Sequence, residues 1–249
     1  MNMVAIGNFF FRYRNLVFIL FYAALFLPSA PLFPAHFFGP NYFLYPIIIG
    51  LVVTISGQLI RGATIGLAYI IRGGRKGKPY AEGLVTEGIF HHCRNPLYVG
   101  NILMLVGMGI LSNSLVFAVI VIPLFMFIYQ AIVLAEEDFL RGKFGSGFDD
   151  YCRAVSRWVP DLRGIGGTVT GMHFNWRRWI LMEYNTQFIW LLGIFLVLLF
   201  KYPLLTHGDL VHRNQLLNIV VPVLVLGYLL VRFLKKSGLM VESKAVQRG

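Results

Sequence analysis

The sequence predicts an all-α, polytopic integral membrane protein with about six transmembrane helices. Of the 249 residues, 57% are hydrophobic and 13% are charged, which is roughly half the charged share of a soluble domain. Long uncharged stretches alternate with segments that contain most of the Lys and Arg residues. A helix rises about 1.5 Å per residue and a bilayer core is about 30 Å thick, so stretches of this length can cross or nearly cross a membrane.

Six apolar stretches are the predicted spans. The first is too long for a cleavable signal peptide and lacks a small-x-small cleavage site, and Pro28, Pro31 and Pro34 are expected to end it. The second could run on to Ile71. The third and fifth are short, so they should tilt little or be capped by neighbouring helices. In chain order the stretches are 15–33, 42–60, 97–111, 115–135, 188–200 and 218–231.

The basic residues predict the orientation of these spans. All but two of the 22 Lys and Arg residues fall on one side of the predicted membrane. By the positive-inside rule that side is the cytoplasm, and an even number of spans places both termini there. We expect a bacterial inner membrane rather than the endoplasmic reticulum. The net charge of +11 is then mainly a topology signal with an attraction for anionic lipid headgroups. Nucleic acid is not an expected partner, because the basic residues are spread over several loops without a recognised motif.

Two polar motifs flank the third and fourth spans. Residues 94–96, Arg-Asn-Pro, precede the third span, and Glu136 and Glu137 follow the fourth. The two spans are joined by a short polar turn at 112–114. A hairpin returns the chain to the side that it left, so Arg94 and Glu136 are expected to meet at the same membrane face.

The carboxylate pair has two interpretations when taken alone. Glu136 and Glu137 could be the hydrated end of the fourth span, balanced by Arg141 and Lys143. Adjacent residues on a helix point about 100° apart, however, so one carboxylate could face the bundle. A carboxylate there needs a cationic or hydrogen-bonding partner.

The segment after the carboxylates is predicted to lie along the membrane surface. Apolar residues recur at three- and four-residue steps over 136–155, which indicates an amphipathic helix interrupted at Gly145 and Gly147. Trp158 is expected to anchor this segment among the headgroups, and the Trp-Arg-Arg-Trp run at 176–179 is a second candidate anchor.

Histidine and cysteine residues give no metal-site pattern. Cys93 and Cys152 form no CxxC pair and are expected to be free thiols. His91 and His92 have no third ligand at a suitable spacing, so we interpret them as surface histidines and predict no bound metal.

Taken together, the two motifs resemble a known family. The chain reads G-I-F-H-H-C-R-N-P-L-Y-V-G over 88–100 and E-E-D-F-L-R-G-K-F-G-S-G-F-D-D-Y over 136–151. This order, with a membrane hairpin between, resembles the signature of the isoprenylcysteine carboxyl methyltransferase and phospholipid methyltransferase superfamily. The resemblance covers about 84–160. It divides the chain into N-terminal spans at 1–83, a core at 84–160 and a C-terminal segment at 161–249.

The resemblance implies S-adenosylmethionine as methyl donor and a membrane lipid or lipidated molecule as acceptor. The donor would enter from the cytoplasm and the acceptor from the bilayer. A cytoplasmic pocket would bind the donor, with the two glutamates holding its amino group or ribose. The residues implied for this pocket are Gly88, Arg94, Asn95, Pro96, Tyr98, Gly100, Glu136 and Glu137.

Two departures from the family pattern bear on the acceptor. Asn95 replaces the histidine of the carboxyl methyltransferases and resembles the N-P-x-Y-x-G form of phosphatidylethanolamine N-methyltransferases. The arginine of a later R-V-P step is displaced here to Arg153 and Arg157, which we predict bind the acceptor's carboxylate or phosphate from one helix face.

Three functions follow as hypotheses. The favoured one is O-methylation of an anionic amphiphile, either an isoprenylcysteine-like carboxylate or a lipid phosphate. The alternative suggested by Asn95 is N-methylation of a phospholipid amine. The third is a non-enzymatic transport or assembly protein. Gln58 and Gln130 are the main polar residues of the predicted spans, and the absence of charge from the span centres argues against transport.

Overall fold

The computed structural model describes residues 2–67 and 79–241, and no β-strand forms among them. The predicted extension of the second span to Ile71 lies outside these residues. Ten α-helices make up the described part of the chain: α1 Met3–Ala24, α2 Ala35–Phe38, α3 Leu44–Leu67, α4 Ile89–His92, α5 Pro96–Leu111, α6 Ile122–Phe144, α7 Ser146–Ala154, α8 Ile165–Thr170, α9 Trp176–Lys201 and α10 Leu210–Lys236. A π-helical turn, Phe117–Val121, leads directly into α6.

The all-α prediction is confirmed, and the predicted number of spans is confirmed only in part. Within the described residues, five helical segments are long and apolar enough to cross a membrane: α1, α3, α9, α10 and the continuous stretch Phe117–Phe144. Helix α5 coincides with the predicted third span but is 16 residues long, shorter than a full crossing. Several apolar helices of this kind make the chain a multi-pass membrane protein.

The predicted starts of two spans are wrong for a shared reason, and the first span also ends earlier than predicted. Helix α1 begins at Met3 and ends at Ala24, before the three prolines, rather than covering 15–33. Helix α9 begins at Trp176, well before the predicted start at 188, and Asn175 caps it by accepting a hydrogen bond from the Arg178 amide at 2.9 Å. Backbone hydrogen bonding carries a helix beyond its apolar segment, which hydrophobicity alone does not show.

Helices α3 and α5 pack against each other along small residues. A Cβ atom added to Gly57 would lie 2.6 Å from the carbonyl oxygen of Gly100, and one added to Gly107 would lie 2.3 Å from the amide nitrogen of Thr54. Only glycine permits such an approach, as is common between membrane helices. This contact fixes the position of α5, which begins with Pro96.

The predicted hairpin is present between α5 and α6. Asn113 adopts a left-handed conformation at the turn (φ 50°) and accepts a hydrogen bond from the Phe33 amide at 2.7 Å. Each arm packs on a different helix: α5 on α3 and α6 on α1. Aromatic residues fill the core between α1 and α6, including Phe21, Phe125 and Tyr129. Helix α10 packs on α9 and has no buried residue.

Candidate functional site

A cavity of about 1490 Å³ lies among α1, α3, α5, α6 and α9, and the segment 79–87 forms part of its wall. One end is polar, because the first turn of α5 and the last turns of α6 meet there. The other end is lined by apolar side chains of α1, α5, α6 and α9 and of the segment just after α1, including Phe18, Phe26, Leu105, Phe125, Leu192 and Leu196. The cavity can therefore accept a molecule with a charged part and a hydrocarbon part.

Glu137 binds two arginines at the polar end. Arg157 donates from Nε and Nη2 to the two carboxylate oxygens at 2.9 and 2.7 Å, and Nη1 of Arg94 lies 3.1 Å from Oε1. Glu137 is buried, and the bond to its carboxylate raises the pKa of Arg157. A buried charge needs such compensation. Both carboxylate oxygens of Glu137 are thus bound by arginines of the protein itself.

Glu136 faces a different partner. Its Oε1 accepts a hydrogen bond from the Tyr98 hydroxyl at 2.8 Å. The ring of Tyr98 makes an edge contact with Tyr129, at 5.0 Å between centroids. Both Glu136 and Tyr98 line the cavity. The two adjacent glutamates therefore point to different neighbours, as the 100° helical step predicts.

Two chain segments pair beside the carboxylates and hold the Arg94 motif in place. The amide of Arg94 donates to the Ser156 carbonyl at 3.0 Å, and the Asn95 side chain donates to the Arg157 carbonyl at 3.3 Å. The amide of Asp161 donates to the His92 carbonyl at 2.9 Å. The first motif is thereby joined by hydrogen bonds to the segment that follows the second motif.

The interpretation of His92 as a surface residue is wrong. Its ring is buried, with Nδ1 2.6 Å from the Asp161 carbonyl oxygen and Nε2 2.8 Å from the Thr168 hydroxyl. The next residue, Cys93, is also buried, and burial raises the pKa of its thiol. Both cysteines are free thiols, as predicted.

Tyr151 and Gly88 border a second, smaller cleft of about 560 Å³. The Tyr151 hydroxyl donates to the Phe90 carbonyl at 2.7 Å, and burial raises the pKa of this phenol. Gly88 has a φ of 62°, a conformation that favours glycine. This cleft is also lined by Glu87, His91 and Asp150.

The structure brings most of the implied cofactor residues together at one cavity. Two others lie elsewhere: Gly88 is in the smaller cleft, and Gly100 packs against Gly57 and Arg61. The cofactor roles themselves remain predictions. The implied residues that line the large cavity are Arg94, Asn95, Pro96, Tyr98, Glu136 and Glu137.

The prediction that Arg153 and Arg157 share a helix face is wrong. Helix α7 ends at Ala154, and Val155 is extended (φ −120°, ψ 133°), so Arg157 lies beyond the helix. Arg153 is exposed and pairs with Asp150 at 3.0 Å. Arg157 binds Glu137, as described above.

The predicted membrane anchors also have partners within the protein. Trp158 is half-buried, and its indole N–H donates to the side-chain oxygen of Gln130 at 2.9 Å. Arg178, from the second candidate anchor, is buried in the first turn of α9.

A buried polar network was missed at the sequence level. Arg61 of α3 donates from Nε and Nη2 to Glu183 of α9 at 3.0 and 2.6 Å. Its Nη1 donates to the side-chain oxygen of Asn101 in α5, whose amide donates to the Tyr129 hydroxyl in α6 at 2.8 Å. Both charged residues lie outside the predicted spans 42–60 and 188–200 but inside the longer helices α3 and α9. The available signal was a set of polar side chains within otherwise apolar helices.

Comparison with known proteins gives a family for this site. The model of the phospholipid methyltransferase family matches residues 45–147. The nickel-cobalt-cadmium resistance protein NccN of Alcaligenes xylosoxydans xylosoxydans is 33% identical over 113 residues, which are 45% of this chain and 51% of that protein. The cobalt-zinc-cadmium resistance protein CzcN of Cupriavidus metallidurans is 31% identical over 122 residues, 48% of this chain and 54% of that protein.

A plant enzyme matches over a similar length. Protein-S-isoprenylcysteine O-methyltransferase A of Arabidopsis thaliana is 34% identical over 122 residues, 45% of this chain and 57% of that protein. The chain thus spans about half the length of the curated relatives that it matches. No solved structure matches significantly. The resemblance seen in the two motifs is confirmed: the phospholipid methyltransferase model matches a segment that contains Arg94, Glu136 and Glu137, and the plant match supports the superfamily that also includes the isoprenylcysteine carboxyl methyltransferases.

Proposed function

We propose that this protein is an S-adenosylmethionine-dependent methyltransferase that acts on a membrane-embedded acceptor. The observation that carries the proposal is the cavity of about 1490 Å³. It joins the polar family motifs at one end to apolar helix walls at the other. A charged donor and an amphiphilic acceptor could meet between the two ends. We further propose that the polar end and both termini face the cytoplasm of a bacterium, as the distribution of basic residues predicts.

The polar end has the groups that the donor's chemistry requires. S-adenosylmethionine carries an ammonium, a carboxylate, ribose hydroxyls and an adenine ring. Glu136 would accept hydrogen bonds from the ammonium or the ribose, and Arg94 would bind the carboxylate. Glu137 would act mainly through Arg94 and Arg157, which it already binds. The sulfonium supplies an activated methyl group, so the protein needs to align the acceptor and exclude water.

The apolar end has an opening toward the bilayer between α1 and α9. Ile19 of α1, Phe26 just beyond the end of α1, and Ile189 of α9 line the cavity, yet they are 66%, 38% and 49% exposed. The two helices approach near Tyr22, where a Cβ atom on Gly193 would lie 2.9 Å from the Tyr22 ring. Cavity-lining residues that are also exposed at the outer surface, between two candidate spans, support an acceptor whose hydrocarbon chain enters from the lipid.

The acceptor that we favour is an anionic amphiphile, methylated on oxygen. It would carry an isoprenylcysteine-like carboxylate or a phosphate. Similarity to an isoprenylcysteine O-methyltransferase supports this choice. An anionic oxygen also needs no general base, whereas an amine acceptor must lose a proton. N-methylation of a phospholipid amine is the second candidate. It is supported by Asn95 in the N-P-x-Y-x-G motif and by the carboxylate of Glu136, which lines the polar end of the cavity.

Labelling with the methyl group of the donor tests the proposal. Purified protein would be incubated with labelled S-adenosylmethionine and one acceptor in each sample: N-acetyl-S-farnesylcysteine, phosphatidic acid or phosphatidylethanolamine. We expect label in the farnesylcysteine or phosphatidic acid sample, and alkali should release it from a carboxyl ester. Alkali-stable label in phosphatidylethanolamine would favour N-methylation. If no sample and no whole-membrane lipid extract becomes labelled, the enzyme proposal fails and a non-enzymatic role, such as one in assembly of a metal-resistance system, moves ahead.

A further inference from the structure

We propose that Asn101 recognises the anionic headgroup of the acceptor, and that the Arg61–Glu183 ion pair holds the Asn101 amide in the orientation that this requires. The proposal rests on the proposed function and deepens it. It assigns the acceptor's headgroup to a defined place, between the donor end and the apolar end of the cavity.

The position of Asn101 along α5 supports this assignment. Tyr98, Asn101, Met104 and Leu105 of α5 all line the cavity. Asn101 lies three residues after Tyr98, and three and four residues before Met104 and Leu105, so the four share one side of the helix. Tyr98 binds Glu136 at the polar end, whereas Met104 and Leu105 contribute to the apolar core. Asn101 is the polar side chain between them. An acceptor with its hydrocarbon chain beside Leu105 and its reacting atom near the donor must place its headgroup at this level.

The orientation of the Asn101 amide follows from the chemistry of arginine. A guanidinium has only donors, so the group that faces Arg61 must be the amide oxygen. The amide nitrogen then faces the other way, and one of its N–H groups binds the Tyr129 hydroxyl at 2.8 Å. We assign the second N–H to the acceptor. An N–H donor recognises a carboxylate or phosphate oxygen and does not recognise an ammonium.

The ion pair behind Asn101 neutralises Arg61. Glu183 is fully buried and binds Arg61 through both oxygens, and Arg61 is 2% exposed. Arg61 is therefore a positioning residue and not an anion-binding site. A buried ion pair is a costly way to join two helices, because apolar packing of the same volume is often as stable. The Arg61–Glu183 pair has a specific use if it fixes the orientation of the Asn101 amide.

Helix α9 supplies the carboxylate although it lies outside the segment that matches the family model, 45–147. Asn185 and Thr186, in the turn that follows Glu183, also line the cavity. A helix beyond the matched segment thus contributes both to the cavity wall and to the network that sets Asn101. We infer that acceptor selection in this protein depends on α9 as well as on the core.

Binding of an acceptor analogue, measured without turnover, tests the inference. The variants are Asn101→Asp, which replaces the N–H donor by a carboxylate of the same shape, and Asn101→Leu, which removes the donor. Thr54→Val is the matched control. Thr54 is buried on α3. Its hydroxyl accepts from the Trp190 indole of α9 at 2.8 Å and donates to the Met104 carbonyl of α5 at 3.1 Å, but Thr54 is not among the cavity-lining residues. The ligands are N-acetyl-S-farnesylcysteine, its neutral carboxamide, phosphatidic acid and S-adenosylhomocysteine.

We expect Asn101→Asp to weaken binding of the anionic acceptor at least tenfold and to remove the preference over the neutral carboxamide. Affinity for S-adenosylhomocysteine should stay within twofold, and Thr54→Val should leave both affinities within twofold. The anionic ligand whose affinity falls in Asn101→Asp, farnesylcysteine or phosphatidic acid, identifies whether the acceptor oxygen belongs to a carboxylate or to a phosphate. The positioning role of the Arg61–Glu183 ion pair is tested with Glu183→Gln. This variant should raise the acceptor's KM and leave the donor's KM nearly unchanged.

Three results would overturn the inference: Asn101 variants that keep wild-type acceptor affinity, an equal loss of acceptor and donor affinity, or a wild-type protein that binds neither anionic acceptor. If Asn101→Asp does not fold, Asn101→Leu provides the same comparison. Selective acceptor binding without any methyl transfer would instead contradict the proposed function while the headgroup site stands.

Discussion

Glu137 and Arg157 form a bidentate ion pair, with Nε–Oε1 and Nη2–Oε2 distances of 2.9 and 2.7 Å. The sequence suggested separate roles for them, one toward the donor and one toward the acceptor. Their mutual contact ties the end of α6 to the segment that follows α7. Because Arg94 shares the same carboxylate at 3.1 Å, Glu137 links both family motifs.

The first prediction concerns this shared carboxylate. Glu137→Gln removes the charge that compensates Arg94 and Arg157, so two guanidinium groups would face each other at a largely buried place. Breaking a buried ion pair costs about 3 kcal/mol of folding stability. The contribution from Arg157 should be smaller than that from Arg94, because the Arg157 side chain is 31% exposed and water can solvate its charge. We expect a lower Tm and weaker binding of S-adenosylhomocysteine. Asp138→Asn, at the exposed neighbouring carboxylate, is the control. Equal Tm values for the two variants would contradict a structural role for Glu137.

The second prediction separates Glu136 from Glu137. Glu136→Gln can still accept the hydrogen bond from Tyr98 through its amide oxygen, so the fold and Tm should be nearly unchanged. A lost charged hydrogen bond to a ligand costs about 1.5–3 kcal/mol, equivalent to roughly a ten- to hundredfold loss of affinity. Calorimetry with S-adenosylhomocysteine would measure it. Wild-type affinity in Glu136→Gln would mean that this carboxylate is only the hydrated end of a span.

The third prediction concerns the two arginines first expected to bind the acceptor. The Arg153 side chain is 77% exposed and pairs with Asp150 on the same surface helix. Arg153→Ala should change stability by no more than about 0.5 kcal/mol and should leave the acceptor's KM unchanged. Arg157→Ala should lower Tm, because it removes the bidentate partner of Glu137. A raised acceptor KM in Arg153→Ala would restore the original assignment.

The fourth prediction distinguishes the two thiols. Cys93 is 1% exposed, and burial raises its pKa, so little thiolate is available at neutral pH. Cys152 is only partly buried, and its sulfur lies 2.7 Å from Nη1 of Arg94. A maleimide should therefore label the native protein once, and Cys152→Ser should abolish the labelling. Labelling that persists in Cys152→Ser would show that Cys93 becomes accessible in the membrane.

The fifth prediction tests the orientation. In a protein without native cysteines, single cysteines at Ser146 and Asn113 should react with impermeant reagents from opposite sides of the membrane. The reason is that one lies just beyond the end of α6 and the other lies at the hairpin turn. Ser146 should be cytoplasmic by the positive-inside rule. Labelling of both from the same side would exclude a hairpin that crosses the bilayer.

The sequence alone determined the helical architecture and the meeting of the two motifs. Long apolar stretches in lipid must satisfy their backbone groups internally, so they form helices whatever their neighbours are. A polar turn between two such stretches forms a hairpin, and this is why Arg94 could be placed near Glu136 and Glu137 without a structure. The break at Gly145 also followed from local backbone chemistry. The interruption predicted at Gly147 is wrong, because Gly147 lies within α7.

Only the tertiary structure decided which polar side chains bind each other. The sequence could not show that Glu137 binds Arg157, that Arg61 binds Glu183, or that the motif residue Gly100 serves helix packing. These contacts depend on the rotation of each helix about its axis and on its exact length. Both are set by packing between helices distant in the sequence, as with the glycines of α3 and α5. The donor end of the cavity could therefore be predicted from motifs, whereas the residues at the acceptor's level, Asn101 above all, became visible only when α3, α5, α6 and α9 came together.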